Sequence, residues 1–435
     1  MKFIVMPGGT VTGEARVPGD KSISHRSIML GSLAEGTTRV SGFLEGEDAL
    51  ATVATFRAMG VNIEGPDNGE VTIQGVGLHG LSAPAGVLDL GNSGTSIRLL
   101  CGLLAGQSFA TVLTGDESLR GRPMGRVMTP LEKMGARIDS EEGGRPPLSI
   151  HGGGELTAIH YDLPMASAQV KSCVLLAGLY AKGKTSVTEP APTRDHTERM
   201  LRGFGCEVIR DELGVISVEG GQTLQAVDID VPSDISSATF FLVAASIAPG
   251  SDLLLTHVGI NPTRIGVLNI LTLMGADLTL KNEREVGGEP VADIHVRYAP
   301  LKGIEIPQDQ VPLAIDEFPA LFIAAACAEG RTTLRGAEEL RVKESDRIAA
   351  MAEGLTTLGI QTEVLDDGLI IDGGTMGGGE IRTFHDHRIA MAFAIAGLRA
   401  EREIDVLDAD HVATSFPGFD ALARGLGLQI SAQDD

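Results

Sequence analysis

A unit of about seventy residues recurs six times along this chain, and that repeat limits the possible folds more than any single motif does. Apolar, helix-like stretches ending near a glycine occupy 28–36, 97–106, 170–183, 239–250 and 320–330, with 389–399 as a sixth. Each is followed by a β-like segment. A second, amphipathic stretch then closes on a small turn: Met59-Gly60, Met134-Gly135, Phe204-Gly205, Met274-Gly275, Leu358-Gly359 and Leu426-Gly427. The intervals between these glycines are 75, 70, 70, 84 and 68 residues. A glycine just past a helix is a C-cap signal, and the alternation in Val61-Asn62-Ile63 or Cys206-Glu207-Val208 predicts a strand after it. The unit reads as βαβαβ, so the chain is an α/β protein.

A second similarity relates the two halves. Val17-Pro18-Gly19-Asp20-Lys21-Ser22 is echoed by Val231-Pro232-Ser233-Asp234-Ile235-Ser236. Two lobes of three units each follow: one from 21–232, the other from 1–20 together with 233–435, with hinges near 20 and 232. A length of 435 residues is ample for two such lobes. Glycine at 56 of 435 is well above the usual ~7% and fits a chain of tight turns and close backbone approaches.

The formal net charge of −23 argues against nucleic acid or an anionic membrane held by overall charge, and with 4% aromatics and no Trp there is little surface for stacking bases. A small anion is not excluded. Surface fields fade over ~8 Å at physiological salt, so a basic pocket can persist inside an acidic protein. Cys101, Cys173, Cys206 and Cys327 are far apart in apolar runs and read as buried, reduced thiols rather than metal ligands. No apolar run nears ~18 residues and no basic leader precedes an apolar core, so a soluble, cytoplasmic protein is expected.

Each apolar helix begins at a capping residue: Asp20, Asn92 to Ser93, Ser167, Asp234, Asp316-Glu317 and Asp386. Termination of the helices explains most of this pattern. Helix N-termini, each with about +0.5 of partial charge, would also trap anions if several converged on one cleft. Cations recur at these starts: Lys21, Ser22 and Arg26; Gly94, Thr95 and Arg98; then Arg120 and Arg122. In Glu338 to Arg347 the spacing of Lys343, Glu344 and Arg347 would put all three on one helical face, either as a solvated salt-bridge run or as part of a site. Asp316 and Glu317 before Pro319, and Asp386 before Arg388, serve equally well as caps or as chemistry. No nucleotide-binding loop, dinucleotide fingerprint or nucleophile elbow appears, and the histidines give no metal spacing.

Pro18-Gly19-Asp20-Lys21-Ser22 with Arg26, Gly91-Asn92-Ser93-Gly94-Thr95 with Arg98, Arg122-Pro123, Ser167-Ala168-Gln169, Arg341 to Arg347, Asp386-His387-Arg388 and Ser415-Phe416-Pro417 together resemble the 5-enolpyruvylshikimate-3-phosphate synthase family, in order and over nearly the whole chain. The resemblance implies two similar domains, each of three βαβαββ units in pseudo-threefold arrangement, with the active site in the interdomain cleft. It implies transfer of a carboxyvinyl group from phosphoenolpyruvate to the 5-hydroxyl of shikimate 3-phosphate by a cytoplasmic monomer without metal or cofactor. By motif, Lys21, Ser22, Arg26, Ser167, Ala168, Gln169, Asp316 and Lys343 would contact shikimate 3-phosphate. Lys21, Gly94, Arg122, Gln169, Arg347 and Arg388 would hold phosphoenolpyruvate. Asp316, Glu344 and Lys21 would be the catalytic groups, and the lobes would close on the substrates.

Several positions depart from the enteric and plant pattern: Ala168 for the middle Ser, Leu99 for a Pro, Glu339 for an Asn, Thr193 and His196 for a Ser and a Tyr, and Thr414 for a Lys. Gly19-Asp20-Lys21-Ser22, Ser167-Ala168-Gln169-Val170-Lys171, Arg194-Asp195-His196-Thr197-Glu198 and Asn261-Pro262-Thr263-Arg264 together look like the family's second class, which implies tolerance of the inhibitor glyphosate. The related transferase acting on UDP-N-acetylglucosamine carries a Cys where this chain has Glu117, which favours the shikimate substrate. A non-catalytic repeat scaffold would not need acids and arginines clustered at helix starts.

Overall fold

The computed structural model describes residues 1–434. The chain forms two compact units, one from Met1–Pro18, Pro232–Glu285 and the chain from Glu289 on, the other from Gly19–Val231 with Val286–Gly288. Each has its own hydrophobic core.

In the Gly19–Val231 unit the repeat appears as three four-stranded sheets among the described residues. Leu88–Asp89 pairs parallel with Thr111–Thr114, which pairs antiparallel with Arg145–His151 and that in turn with Arg137–Glu141. His160–Asp162, Lys184–Thr188, Ile216–Glu219 and Val208–Arg210 repeat the pattern. So do Ile229–Asp230, Glu35–Ser41, Glu70–Val76 and Asn62–Asp67. The unit is therefore βαβαββ, one strand longer than the βαβαβ read from periodicity, because the closing hairpin supplies two strands.

The other unit follows the same order. Thr12–Ala15 runs parallel to Asp252–Gly259, and Gly379–Ile381 parallel to Ile404–Val406. Lys2–Gly9 lies between Ile404–Val406 and Leu428–Gln433, so the first strand of the chain completes the last repeat. The Arg331–Leu334 sheet has three strands, its parallel edge reduced to bridges from Lys302 and Glu305. Entering strands are exchanged: the one before Ile235–Ile247 pairs with Glu35–Ser41, and the one before Lys21–Leu33 pairs with Asp252–Gly259.

The apolar stretches are helices buried on nearly all sides: Lys21–Leu33, Gly94–Ala105 and Ala168–Gly178 in one unit, and Ile235–Ile247, Phe318–Cys327 and His387–Ala396 in the other. Every residue of Ile235–Ile247 is buried, which is why its sequence lacks a polar stripe. The second helix of each repeat keeps a wet face and ends as its sequence requires. Gly60, Gly135, Gly205, Gly275, Gly359 and Gly427 all have φ between 82° and 116°, where a side chain is disfavoured. Gly102 meets a different demand: a Cβ there would sit 2.1 Å from the Cys173 carbonyl oxygen, so the helices Gly94–Ala105 and Ala168–Gly178 touch backbone to backbone. Aromatic side chains are few, and five of them pack together. Phe3, Phe240, Phe241, Phe416 and Phe419 form one cluster beneath the N-terminal strand.

Candidate active site

In the Gly19–Val231 unit three helix N-termini are tied together at one end. Asp20 accepts from the Ile23 amide at 2.9 Å, Ser93 from Ser96 at 3.1 Å and Ser167 from Val170 at 3.4 Å, so each start is capped by a side-chain oxygen. A buried polar chain links the first two. His25 Nδ1 lies 2.8 Å from Thr52 Oγ1 and 3.2 Å from Ser96 Oγ, which is 2.8 Å from Ser93 Oγ. Burial, reinforced by Lys21 and Arg26, holds the His25 pKa well below its ordinary value, so this ring is a neutral structural link. Arg98 and Gln169 join the second start to the third: Arg98 Nη1 donates to Gln169 Oε1 at 2.7 Å, and Gln169 Nε2 to Thr95 Oγ1 at 3.1 Å.

The cations of this unit are set on that frame. Lys21 Nζ pairs with Asp48, at the start of the helix Glu47–Ala58. Arg26 turns inward, donating to Thr197 Oγ1 at 2.7 Å, the Ser22 carbonyl at 2.9 Å and Ser172 Oγ at 3.0 Å, and so holds the backbone beside Lys21. Arg122 donates to Asn92 Oδ1 at 2.7 Å and Ser118 Oγ at 3.1 Å. A Cβ on Gly94 would come within 2.8 Å of Arg98 Nη1 and 3.1 Å of Arg122 Nη1. The missing side chain thus leaves room for two guanidinium groups beside the Ser93-capped helix start, a geometry suited to an anion. Ala168 opens its helix with no polar atom beyond the backbone.

The other unit carries a denser cluster centred on Arg347, which is 1% exposed. Its Nε donates to Asp386 Oδ2 at 2.8 Å, Nη2 to Glu344 Oε2 at 2.6 Å, and Nη1 to Asp316 Oδ1 at 3.3 Å. Burial works against this charge, but Asp386, Glu344 and Asp316 outweigh it and raise the Arg347 pKa, so the guanidinium stays charged. Burial would likewise raise the Asp386 carboxyl; Arg347 overrides it and holds Asp386 below the usual carboxylate range. Asp386 also caps the His387–Ala396 helix through the Arg388 amide at 2.9 Å and accepts from Ser345 at 3.0 Å. Lys343 Nζ reaches Glu339 at 2.8 Å and Asp316 at 3.4 Å. Arg388 Nη1 donates to the Asp316 carbonyl at 2.9 Å.

Two expectations from spacing are corrected here. The 338–347 stretch is not one helix: Glu338–Val342 is a 3-10 turn, Lys343 is extended, and the α-helix begins at Arg347 because Asp346 caps the Ala349 amide at 3.0 Å. Lys343 and Arg347 still meet at Asp316, and Glu344 meets Arg347, by a turn rather than by one helical face. Glu317 stands at the N-cap of Phe318–Cys327 without making a cap bond. Pro319 leaves that helix with one fewer amide to satisfy, and the Glu317 carboxylate instead accepts from Ser236 Oγ inside the core. Of the four cysteines, Cys327 is only partly buried and the other three fully.

A family model for EPSP synthase (3-phosphoshikimate 1-carboxyvinyltransferase) matches residues 5–422. The chain belongs to the EPSP synthase family. A 3-phosphoshikimate 1-carboxyvinyltransferase of Alkalilimnicola ehrlichii is 66% identical over 435 residues, covering 100% of this chain and 97% of that protein. The solved EPSP synthase of Acinetobacter baumannii superimposes with a TM-score of 0.90 at 60% identity, covering 99% of this chain and 100% of that one. The enolpyruvyl transferase NikO from Streptomyces tendae, at 18% identity and a TM-score of 0.77 over 99% of this chain and 98% of its own, shares the fold.

Within this family member, the structure places Asp316, Lys343, Glu344, Arg347 and Arg388 in one cluster, and Gly94, Arg122, Ser167, Ala168 and Gln169 around two adjacent helix starts of the other unit. Lys21 and Ser22 open the third. Thr414 is buried and donates to the His411 carbonyl at 2.7 Å. Sequence reasoning missed Asp48 as partner of Lys21 and Asp386 as the chief partner of Arg347. Asp48 stands among the acids of the first turn of Glu47–Ala58, 27 residues from Lys21, and Asp386 lies 39 residues from Arg347. Among the described residues no group of three or more His, Cys, Asp or Glu could hold a metal ion, and no helix is long and apolar enough to cross a membrane.

Proposed function

We propose that this chain transfers the enolpyruvyl group of phosphoenolpyruvate to the 5-hydroxyl of shikimate 3-phosphate, releasing phosphate on the route to chorismate and the aromatic amino acids, with its own residues in the following roles. The hydroxyl oxygen bonds C2 of phosphoenolpyruvate while C3 takes a proton, giving a tetrahedral ketal phosphate. Loss of a proton from the new methyl group then expels phosphate and leaves the enol ether. Asp316 accepts the hydroxyl proton. Glu344 delivers the proton to C3 and takes one back, and Lys21 assists as an electrostatic or proton-transfer partner. Arg122, Lys343, Arg347 and Arg388 stabilise the carboxylate and the departing phosphate. Lys21, Ser22, Arg26, Ser167, Ala168, Gln169, Asp316 and Lys343 serve shikimate 3-phosphate; Lys21, Gly94, Arg122, Gln169, Arg347 and Arg388 serve phosphoenolpyruvate.

The observation that carries the acid and base roles is the trio of carboxylates on one buried guanidinium. An anion brought to Arg347 must displace a carboxylate or arrive with a proton. Solvent reaches Glu344 best, its side chain being 25% exposed against 14% for Asp316 and 0% for Asp386. Glu344 is thus the carboxylate suited to carry a proton in and out. Replacing Asp316→Asn or Glu344→Gln should lower turnover by at least about a hundredfold, read as phosphate release, with the fold intact by circular dichroism. Unchanged turnover in both would remove these roles. Phosphate release with shikimate 3-phosphate but not with UDP-N-acetylglucosamine separates the two acceptors.

The resemblance of 167–171 and 194–198 to the family's second class supports tolerance of glyphosate. Loss of activity at micromolar glyphosate with saturating phosphoenolpyruvate would remove that reading. The four cysteines without disulfide partners support a cytoplasmic setting.

A further inference from the structure

Arg264, in the Asn261-Pro262-Thr263-Arg264 motif, has no part in the roles above, yet it is 3% exposed and stands behind Arg388 in a continuous polar chain. Its Nη2 donates to Asp234 Oδ1 at 3.0 Å and to Ser236 Oγ at 2.7 Å. The Ser236 hydroxyl has one proton and donates it to Glu317 Oε1. That same oxygen lies 4.0 Å from Arg264 Nη2 and 3.7 Å from Arg388 Nη1. Glu317 is 2% exposed, and its second oxygen, Oε2, is buried without a hydrogen-bond partner. Two guanidinium groups therefore share one buried carboxylate, and the serine fixes which way that carboxylate faces.

Burying these charges is unfavourable unless their geometry is used, because desolvation offsets much of the attraction within such a group. Without Glu317, Arg388 and Arg264 would repel one another. With it, Arg388 is held from behind by a carboxylate and by the Asp316 carbonyl, and its charge balance is set by a group on its inner side. We infer that Glu317, oriented by Ser236 and Arg264, is a positioning residue for Arg388 and so sets the affinity for phosphoenolpyruvate without touching it. This rests on the reading that Arg388 binds phosphoenolpyruvate.

The test is steady-state phosphate release by the full-length enzyme, varying each substrate in turn, for Ser236→Ala, Ser236→Thr, Glu317→Gln and Arg388→Lys. Ser236→Ala and Glu317→Gln should raise the KM for phosphoenolpyruvate about tenfold, the order expected when the ion pair behind Arg388 is loosened, while the KM for shikimate 3-phosphate and kcat stay within about twofold. Ser236→Thr keeps the hydroxyl and should restore the wild-type value. A merely structural role would lower the melting temperature and the active fraction without moving one KM selectively. If Arg388→Lys raises the phosphoenolpyruvate KM and Ser236→Ala does not, the inference is wrong and the reading of Arg388 stands. If Arg388→Lys leaves that KM unchanged, the reading falls and the inference with it. Should Glu317→Gln fail to fold, Ser236→Ala, which deletes one buried atom, decides alone.

Discussion

Neutralising Asp386 without changing its shape isolates what a buried charge contributes here. Asp386 is completely buried, and four donors converge on it: Arg347 Nε, Arg347 Nη2, Ser345 Oγ and the Arg388 amide. In Asp386→Asn the carbonyl oxygen can keep the helix cap, since Asn caps about as well as Asp. The amide nitrogen, however, turns a donor toward the Arg347 donors. Removing one partner of a buried pair destabilises by about 3–5 kcal/mol, and because Glu344 and Asp316 still face Arg347 the lower end, about 3 kcal/mol, is expected. For a unit of this size that is a fall of about 6–12 °C in the transition that melts the His387–Ala396 helix. Asp386 titrates below the ordinary carboxylate range when folded, so its stabilisation is complete above the unfolded pKa of about 4 and is lost as pH falls through the lowered native value. Urea unfolding of wild type and variant should show the full gap at pH 7 and a narrowing gap below about pH 4. A gap under about 1 kcal/mol at pH 7, or one that widens on acidification, would refute the reasoning.

Other expectations follow from buried contacts. Gly102→Ala forces apart two helices whose backbones touch and should destabilise by more than about 2 kcal/mol in urea melts, with Gly121→Ala, whose Cβ would meet nothing within 4 Å, as the control. Lys171 is 0% exposed between Glu189 at 3.1 Å and Glu198 at 2.9 Å. Lys171→Met should lose about 3–5 kcal/mol, and adding Glu198→Gln should recover part of it by removing an uncompensated carboxylate; further loss on adding it would contradict this. Burial pushes the Cys101 thiol up to about 12 and that of Cys206 to about 11, so neither should react with a thiol reagent at pH 8 until urea exposes it. Rapid labelling of Cys101 in the native enzyme would show that its core opens.

The parts of this protein legible in the sequence are those a single backbone position dictates. Gly60 and its five counterparts could be read as helix ends because their φ values admit little else. Asp20, Ser93, Ser167, Asp234 and Asp386 could be read as caps because a cap bond spans only two or three residues. What remained hidden was set by distant partners. Lys2–Gly9 finds its place between strands some four hundred residues away, a pairing that no local pattern encodes. Glu317 looks like a cap from its neighbours, and only Ser236, 81 residues earlier, shows why its carboxylate turns inward. The site was likewise legible as a set of charged residues but not as a set of pairs. Mixed runs such as 338–347 give charge without saying which acid meets which base.

The exchanged entering strands affect how the chain can be cut and joined. A fragment of Gly19–Val231 carries all its own strands, whereas a fragment beginning at Pro232 lacks the two made by the first fifteen residues. On the ribosome those residues emerge well before the strands they pair with, cannot dock until the C-terminal segment is made, and meanwhile must remain unpaired. Since Lys2 sits opposite Gln433, a short linker could join these two strands end to end, and a permuted gene opening at Pro232 would encode each half as an uninterrupted segment.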